Sequence, residues 1–359
     1  IAAKSMRLSW LNKLYDAFSN DIGIDLGTAN TLVYVKGQGI VIMEPSIVTV
    51  NQKTGRIVAI GNDAKQMLGR TPAHLQIVRP LIDGVISNFE VTEEVLAYFL
   101  KKAGKLGTRK FFRPRVIIGV PSGITNVEIR AVRDAAKNAG ARQVFVVEEP
   151  MAAAIGVRLP IHDPVGTMIV DIGGGTADIA VISLGGIVKS KNLRVAGVRF
   201  DKEIISYVRD EFKILLGEKT AEEVKIAIGA VWKQSEPLET AIRGRDLVTG
   251  LPKEVAITDS DIQEALAPSI ANLIEAIKEV LETTPPEVIS DIMHQGLVLV
   301  GGGALFKGLQ TLLQSEFKIP VSIADDPLTA VVRGIGIIFE RLEEYRDILV
   351  PDDDRLPPG

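Results

Sequence analysis

Apolar and polar positions fall into distinct blocks along the chain, and two of those blocks repeat. In Asp21 to Val35, DIGIDLGTANTLVYV, apolar residues run into Asp25, a Gly-bearing turn follows, and an apolar segment leaves. The same succession returns at Met168 to Ile182, MIVDIGGGTADIAVI, around Asp171. Each block reads as strand, tight turn and strand, because short apolar runs bounded by turn residues fit buried strands. Two copies of one supersecondary unit predict a duplicated architecture with two related halves. Between them, Arg115 to Val120 predicts a short buried strand. From Thr125 to Ala139 the residues Val127, Ala131, Val132, Ala135 and Ala136 share a helical face, and Gly140 supplies a stop signal. Gln143 to Val147 predicts another strand, and Pro150 to Gly156 a helix with Pro in its first turn. A β–α–β–α order of this kind implies parallel strands with helices packed outside them.

The second half predicts helices over Phe200 to Leu216, Ala221 to Ile228 and Asp259 to Leu281. The strand Leu297 to Val300, the turn Gly301-Gly302-Gly303 and a helix from Leu305 to Gln314 follow, with a last helix from about Leu328 to Tyr345. Inserts are expected at about 43–74 and 191–255. The Pro- and Asp-rich end PDDDRLPPG is expected to be disordered.

Composition narrows the class. The chain has 359 residues, 46% of them hydrophobic, and a formal net charge of −4, which suits a folded protein of two or three domains. With 41 basic against 45 acidic residues there is no overall basic footprint for nucleic acid. The absence of Cys excludes disulfides, Cys-ligated zinc and thiol nucleophiles, and three scattered His argue against a His-built metal site. No apolar window is long enough to span a bilayer, and the first twenty residues lack the features of a signal peptide. Ile1 is not an initiator, so Met6 is the candidate native start.

Asp25 and Asp171 each sit where a strand feeds a Gly-rich turn. Gly27 with Thr28, and Gly173, Gly174 and Gly175 with Thr176, leave backbone N–H groups free to approach phosphate oxygens. If the halves face one another, the two hairpins clasp a polyphosphate, and the two Asp residues converge on a hard cation such as Mg²⁺. The third turn, Gly301, Gly302, Gly303 and Ala304, is expected to open a helix beside the ligand. Glu148 and Glu149 end a strand just before Pro150, where a carboxylate can activate water or compensate a helix N-terminus.

The strings DLGTAN, DIGGGT and GGGA resemble the actin, sugar-kinase and heat-shock-chaperone ATPase superfamily. The longer strings IDLGTANTLVYVKGQGIV, EPS, DAKQMLGRTP, RPLIDGVI, VPSGIT, EEPMAAAIG, RGRDLVTGLP and DPLTAVVRG look like the MreB-type bacterial actins. They run from about Ser19 to Leu349. The resemblance implies an actin-like α/β ATPase fold, with two related RNase H-like domains around a nucleotide cleft. Domain I would comprise 21–158 and 324–349, and domain II 159–323. The implied activity is slow ATP hydrolysis controlling assembly of filaments that scaffold cell-wall synthesis under the cytoplasmic membrane. Its implied ligands are ATP, Mg²⁺, further copies of the chain and cell-wall elongation membrane proteins. By the same resemblance Thr28, Ala29 and Asn30 bind the phosphates, opposed by Gly173, Gly174, Gly175 and Thr176. Glu222, Glu223 and Lys225 would contact the nucleoside and Gly301 to Ala304 would lie beside the adenine. Glu149 matches the water-activating position, with Glu148 as the fallback. Ala177 and Asp178 depart from the more frequent Thr-Glu, and Val198 stands where Asp is common.

Two apolar features point to a membrane surface. Trp10, Leu11, Leu14, Tyr15 and Phe18 share one face of a predicted helix, with Arg7, Asn12, Lys13 and Asp16 opposite. Further on, Phe111 and Phe112 are flanked by Lys105, Arg109, Lys110, Arg113 and Arg115, which suits a wedge into an anionic bilayer. Either feature could instead pack on the protein's own core. Small-molecule kinases and DNA-segregating actins are the rival readings; a chaperone would append a peptide-binding domain after the ATPase.

Overall fold

The computed structural model describes residues 19–106 and 112–351. The first half opens with the antiparallel meander β1 (Ser19–Leu26), β2 (Asn30–Val35) and β3 (Gly39–Pro45). A small sheet of β4 (Val48–Asn51), β5 (Ile57–Ile60) and β6 (Leu75–Val78) follows, with helix α1 (Asn62–Met67) between its last two strands. After the short pair β7 (Leu81–Ile82) and β8 (Val85–Ile86) come α2 (Phe89–Leu106), β9 (Phe112–Val120), α3 (Asn126–Asn138), β10 (Gln143–Glu148) and α4 (Glu149–Gly156).

The second half starts with the meander β11 (Thr167–Ile172), β12 (Ala177–Ser183) and β13 (Gly186–Leu193). Next are α5 (Gly197–Phe212), β14 (Ile214–Leu215), α6 (Glu218–Ile228), β15 (Glu239–Asp246), β16 (Pro252–Thr258), α7 (Asp259–Glu282) and α8 (Pro286–Gln295). The chain closes with β17 (Leu297–Val300), α9 (Leu309–Phe317), β18 (Val321–Ile323) and α10 (Ala330–Glu340).

The two main sheets have the same plan, with orders β3-β2-β1-β9-β10 and β13-β12-β11-β17-β18. In each, the first three strands are antiparallel and the last two run parallel to the first strand of the meander. Every residue of β11 is buried, as expected of a strand covered on both faces. The repeat visible in the sequence is therefore a repeat of sheet topology.

Helices α4 and α10 lie between the sheets. Their Met151, Ile335, Ile338 and Phe339 share one buried cluster with Ile117 of the first sheet and Ile169 and Ala180 of the second. The helices touch through backbone at Gly334, where a Cβ would fall 1.7 Å from the carbonyl oxygen of Ala152. Helix α10, late in the chain, is thus built into the junction between the halves. The helix at 125–139 forms as α3, started by a capping box in which Thr125 and Glu128 satisfy each other's backbone N–H.

Several expected boundaries move. The helix expected over Phe200 to Leu216 ends at Phe212, because Lys213 turns left-handed at φ 57 and Ile214 and Leu215 pair with β15. The helix expected from Leu305 begins only at Leu309; Gly302–Leu305 form a single 3-10 turn that stops where Phe306 extends. The last helix is shorter than expected, covering Ala330–Glu340. Met43 belongs to β3 and Lys191 to β13, both in main sheets, so the small sheets begin later than the expected inserts. At the C-terminal end Val350 and Pro351 are tied down. The Val350 N–H donates to Val146, and Arg133 donates to the Val350 and Pro351 carbonyls. The rest of the expected tail lies outside the described residues.

Candidate functional site

The two Asp-Gly hairpins meet between the sheets. Asp25 ends β1 beside Gly119 of β9, and Asp171 of β11 lies beside Val300 of β17 and opposite Asp178 of β12. Both carboxylates are therefore carried at the end of a central strand, as in other α/β folds whose ligands bind beyond the strand ends. Gly174 and Gly175 allow the hairpins to touch. A Cβ on Gly174 would lie 2.4 Å from the Ala29 Cβ, and one on Gly175 would lie 2.2 Å from the Thr28 hydroxyl. The second hairpin is braced by α5, whose Gly197 and Val198 N–H groups donate to the Gly173 and Gly174 carbonyls. Thr28 accepts a bond from the Gly84 N–H at 3.2 Å.

A cleft of about 670 Å³ opens at this junction. It is lined by Asp25, Gly27, Thr28, Ala29, Asn30, Glu149, Asp171, Gly173, Gly174, Gly175, Thr176, Glu222, Lys225, Gly301, Gly302 and Gly303, all singled out in the sequence. Two expected residues are not there, nor is the fallback Glu148. Glu223 points outward to Lys219, because neighbouring positions on α6 face different sides and the Glu222 side takes the cleft. Ala304 is fully buried against the core instead of the cleft. Nor does the third glycine turn present a helix N-terminus. Gly301 adopts φ 78, and a Cβ there would lie 2.3 Å from Asp171 Oδ1, so the turn serves as a close backbone wall.

The floor of the cleft concentrates negative charge. Burial pushes the Asp25 carboxyl up to about 7. Burial, then the charge of Asp25 and lesser contributions from Asp178 and Asp171, hold Glu149 well above the usual carboxylate range. Asp171 is raised in the same way by burial and by Asp178 and Asp25. Asp25, Glu149 and Asp171 share a poorly solvated floor without compensating donors and call for a cation. Among the described residues no three acidic or His side chains are close enough to hold a metal by themselves. That donor set fits a hydrated Mg²⁺, which keeps its waters and takes one or two carboxylates together with phosphate oxygens.

Sequence reading passed over other parts of the cleft. Ile226, Leu305 and Leu328 line it yet are exposed, an apolar wall of the kind a flat base would cover. Lys225 pairs with Asp201 at 2.8 Å and also bonds the Gly197 carbonyl, so it fixes α5 to α6. Two ion pairs bridge the mouth, Lys65 to Glu222 at 2.8 Å and Arg79 to Glu218 at 3.0 Å, joining the first small-sheet region to α6. The strings containing Lys65, Arg79 and Ser122 stand out in the sequence, but no local signal pairs them across the cleft.

Trp10, Leu11, Leu14, Phe18 and Phe111 lie outside the described residues, as does the side chain of Phe112, whose backbone opens β9. One member of the basic set is corrected: Arg115 is bound to buried Asp21, with contacts of 2.8 and 2.7 Å, and is not presented to a surface. No helix among the described residues is long and apolar enough to cross a membrane.

Two sheets of one topology, joined through a helix pair and enclosing a glycine-lined cleft, define the actin-like fold. A family model described as MreB/Mbl protein matches residues 19–347. The cell shape-determining protein Mbl of Bacillus cereus is 48% identical over 327 residues, covering 91% of this chain and 97% of that protein. MreB of Escherichia coli K12 is 49% identical over 341 residues, covering 93% and 97%. MreB5 of Spiroplasma citri, solved with ADP and with AMPPNP, superposes with a TM-score of 0.87 at 39% identity, covering 92% of this chain and 98% of that one. The MamK double helical filament gives 0.77 at 25% identity, covering 90% and 99%. The chain belongs to the MreB/Mbl family.

Proposed function

We propose that the chain is an ATP-dependent cytoskeletal filament protein that hydrolyses ATP slowly, lies on the inner face of the cell membrane and scaffolds cell-wall synthesis in maintaining rod shape. The observation that carries this is the contact of Gly174 and Gly175 with Ala29 and Thr28 above a floor formed by half-buried Asp25 and buried Asp171. Backbone N–H groups of the two hairpins would hold the β- and γ-phosphates from opposite sides. Asn30 and Thr176 would complete these loops, and Glu222 and Lys225 the nucleoside side. Ile226, Leu305 and Leu328 would cover the base, with Gly301 to Gly303 as its backbone wall. Mg²⁺, when bound, supplies the charge that lets a polyphosphate share the floor with Asp25 and Asp171. Glu149 would take the proton of the attacking water.

In this reading the functional units are a domain of 21–158 with 324–349 and a second of 159–323, and closure between them senses the nucleotide. Copies of the chain would assemble into protofilaments, in line with the filament formed by MamK. Attachment would use the Trp10, Leu11, Leu14 and Phe18 face together with Phe111 and Phe112. Two Phe bury roughly 200 Å² each, on the order of 10 kcal/mol gross at about 25 cal/mol per Å². Partial immersion leaves a weak anchor per copy, which a polymer multiplies into avid binding. Cell-wall elongation membrane proteins are the partners expected at that surface.

The test is high-speed pelleting with ATP, ADP or no nucleotide, with and without anionic liposomes, followed by electron microscopy. ATP-dependent filaments that decorate liposomes are expected. Removing residues 1–18 and replacing Phe111 and Phe112 by Ser should abolish liposome attachment while filaments still form in solution. Absence of polymer in every condition would overturn the filament reading, and phosphoryl transfer to small hydroxyl compounds would then be assayed.

A further inference from the structure

The carboxylate of Asp178 is only 1% exposed, yet it reaches across the junction between the halves. It stands on β12, paired with Asp171 on one side and with Asn192 of β13 on the other. Its Oδ1 accepts from the Ser122 N–H at 2.8 Å and from the Ser122 hydroxyl at 2.6 Å. Its Oδ2 accepts from the Asn192 amide at 2.9 Å. A carboxylate offers about four acceptor sites, and these three donors take most of them. Ser122 sits in the turn just after β9 of the first sheet, whereas Asp178 and Asn192 belong to the second. One buried carboxylate thus ties the two halves together at the floor of the cleft.

The reacting groups are split by the same junction. Asp25 and Glu149 come from the first half, and Asp171 and the Gly173–Thr176 turn from the second. Their separation is set by whatever fixes one half against the other, and a misplacement of about 1 Å can cost on the order of 100-fold in rate. We propose that Asp178 is a positioning residue that holds Ser122 and so fixes the spacing between Glu149 and the phosphate turn. The role in turnover rests on the ATPase reading above; the tie itself does not.

The chain has no Cys, so cysteines introduced at exposed Val127 on α3 and Met293 on α8 can carry two unique spin labels, one on each half. Electron–electron distance measurements on the full chain are expected to give one narrow distribution in the parent. Asp178→Ala should broaden it and lower kcat about 10-fold or more, with KM for ATP within about 3-fold. Asp178→Asn, whose Oδ1 still accepts from Ser122, should keep the narrow distribution and kcat within about 3-fold. Ser122→Ala, which removes one bond at little risk to folding, should broaden the distribution partly. An unbroadened distribution in both Asp178→Ala and Ser122→Ala overturns the proposal. So does an Asp178→Asn protein that keeps the narrow distribution but loses turnover as far as Asp178→Ala, since charge would then be what matters. A parent without ATPase activity would sink the functional reading, while the distances would still decide whether the tie exists.

Discussion

Replacing Glu149 by Gln is expected to lower ATP hydrolysis about 100-fold while changing ATP affinity by no more than a few-fold. Glu149 is the first residue of α4, directly after β10, so a strand end and a helix start fix its backbone. Its side chain passes close to Gly119, where a Cβ would lie 3.4 Å from the Glu149 Cγ and crowd it. Burial and the charges of Asp25, Asp178 and Asp171 raise its proton affinity, which is what a group that must accept a proton from water needs. Gln has the same shape and cannot take that proton. Single-turnover phosphate release, read beside a fluorescent-nucleotide titration, separates the two effects. Unchanged hydrolysis in Glu149→Gln, with loss in Glu148→Gln, would move the base by one residue, to a carboxyl that burial also raises. Filaments of Glu149→Gln should outlast those of the parent, because hydrolysis would no longer time their disassembly.

Asp25→Asn should have opposite effects on stability and on ligand binding. The folded carboxyl titrates near 7 against 3.8 for the free group, so between those values the folded protein binds more protons than the unfolded chain. Stability therefore falls as pH rises through this window; the penalty is absent below about 3.8 and complete above about 7. A shift of this size corresponds to about 4 kcal/mol if fully expressed, and access from the cleft reduces it to about 2 kcal/mol. In EDTA at pH 8, Asp25→Asn should melt about 3 °C above the parent, with the difference shrinking by pH 5. With Mg²⁺, the same variant should lose ATP affinity about 100-fold, since one carboxylate facing the cation is gone. Chelation of the divalent ion in the parent should weaken ATP binding comparably. A variant that melts below the parent at pH 8 would mean that the Asp25 charge is satisfied by the protein itself.

Much of the framework was legible because it is encoded locally. Asp25 and Asp171 could be placed at strand ends because apolar runs stop there and glycines follow. The strand Leu297 to Val300 and the helix from Asp259 were legible for similar reasons, a short apolar run in one and a helical period in the other. Errors gathered where a local signal was outweighed. Lys213 ends α5 although the apolar pattern continues, because Ile214 and Leu215 gain strand partners in β15. Glu222 and Glu223 are alike in sequence, and only the orientation of α6 sends one to the cleft and the other to Lys219.

By itself, then, the sequence determined the two hairpins, their carboxylates and the glycines that let backbone approach a ligand, since each depends on residues adjacent in the chain. Only the tertiary structure decided that Gly174 rests on Ala29, that Lys65 meets Glu222, and that Asp178 bonds Ser122. The physical reason is that these contacts depend on how α4 and α10 set one sheet against the other. That packing is a property of the whole core, and no local pattern of residues carries it.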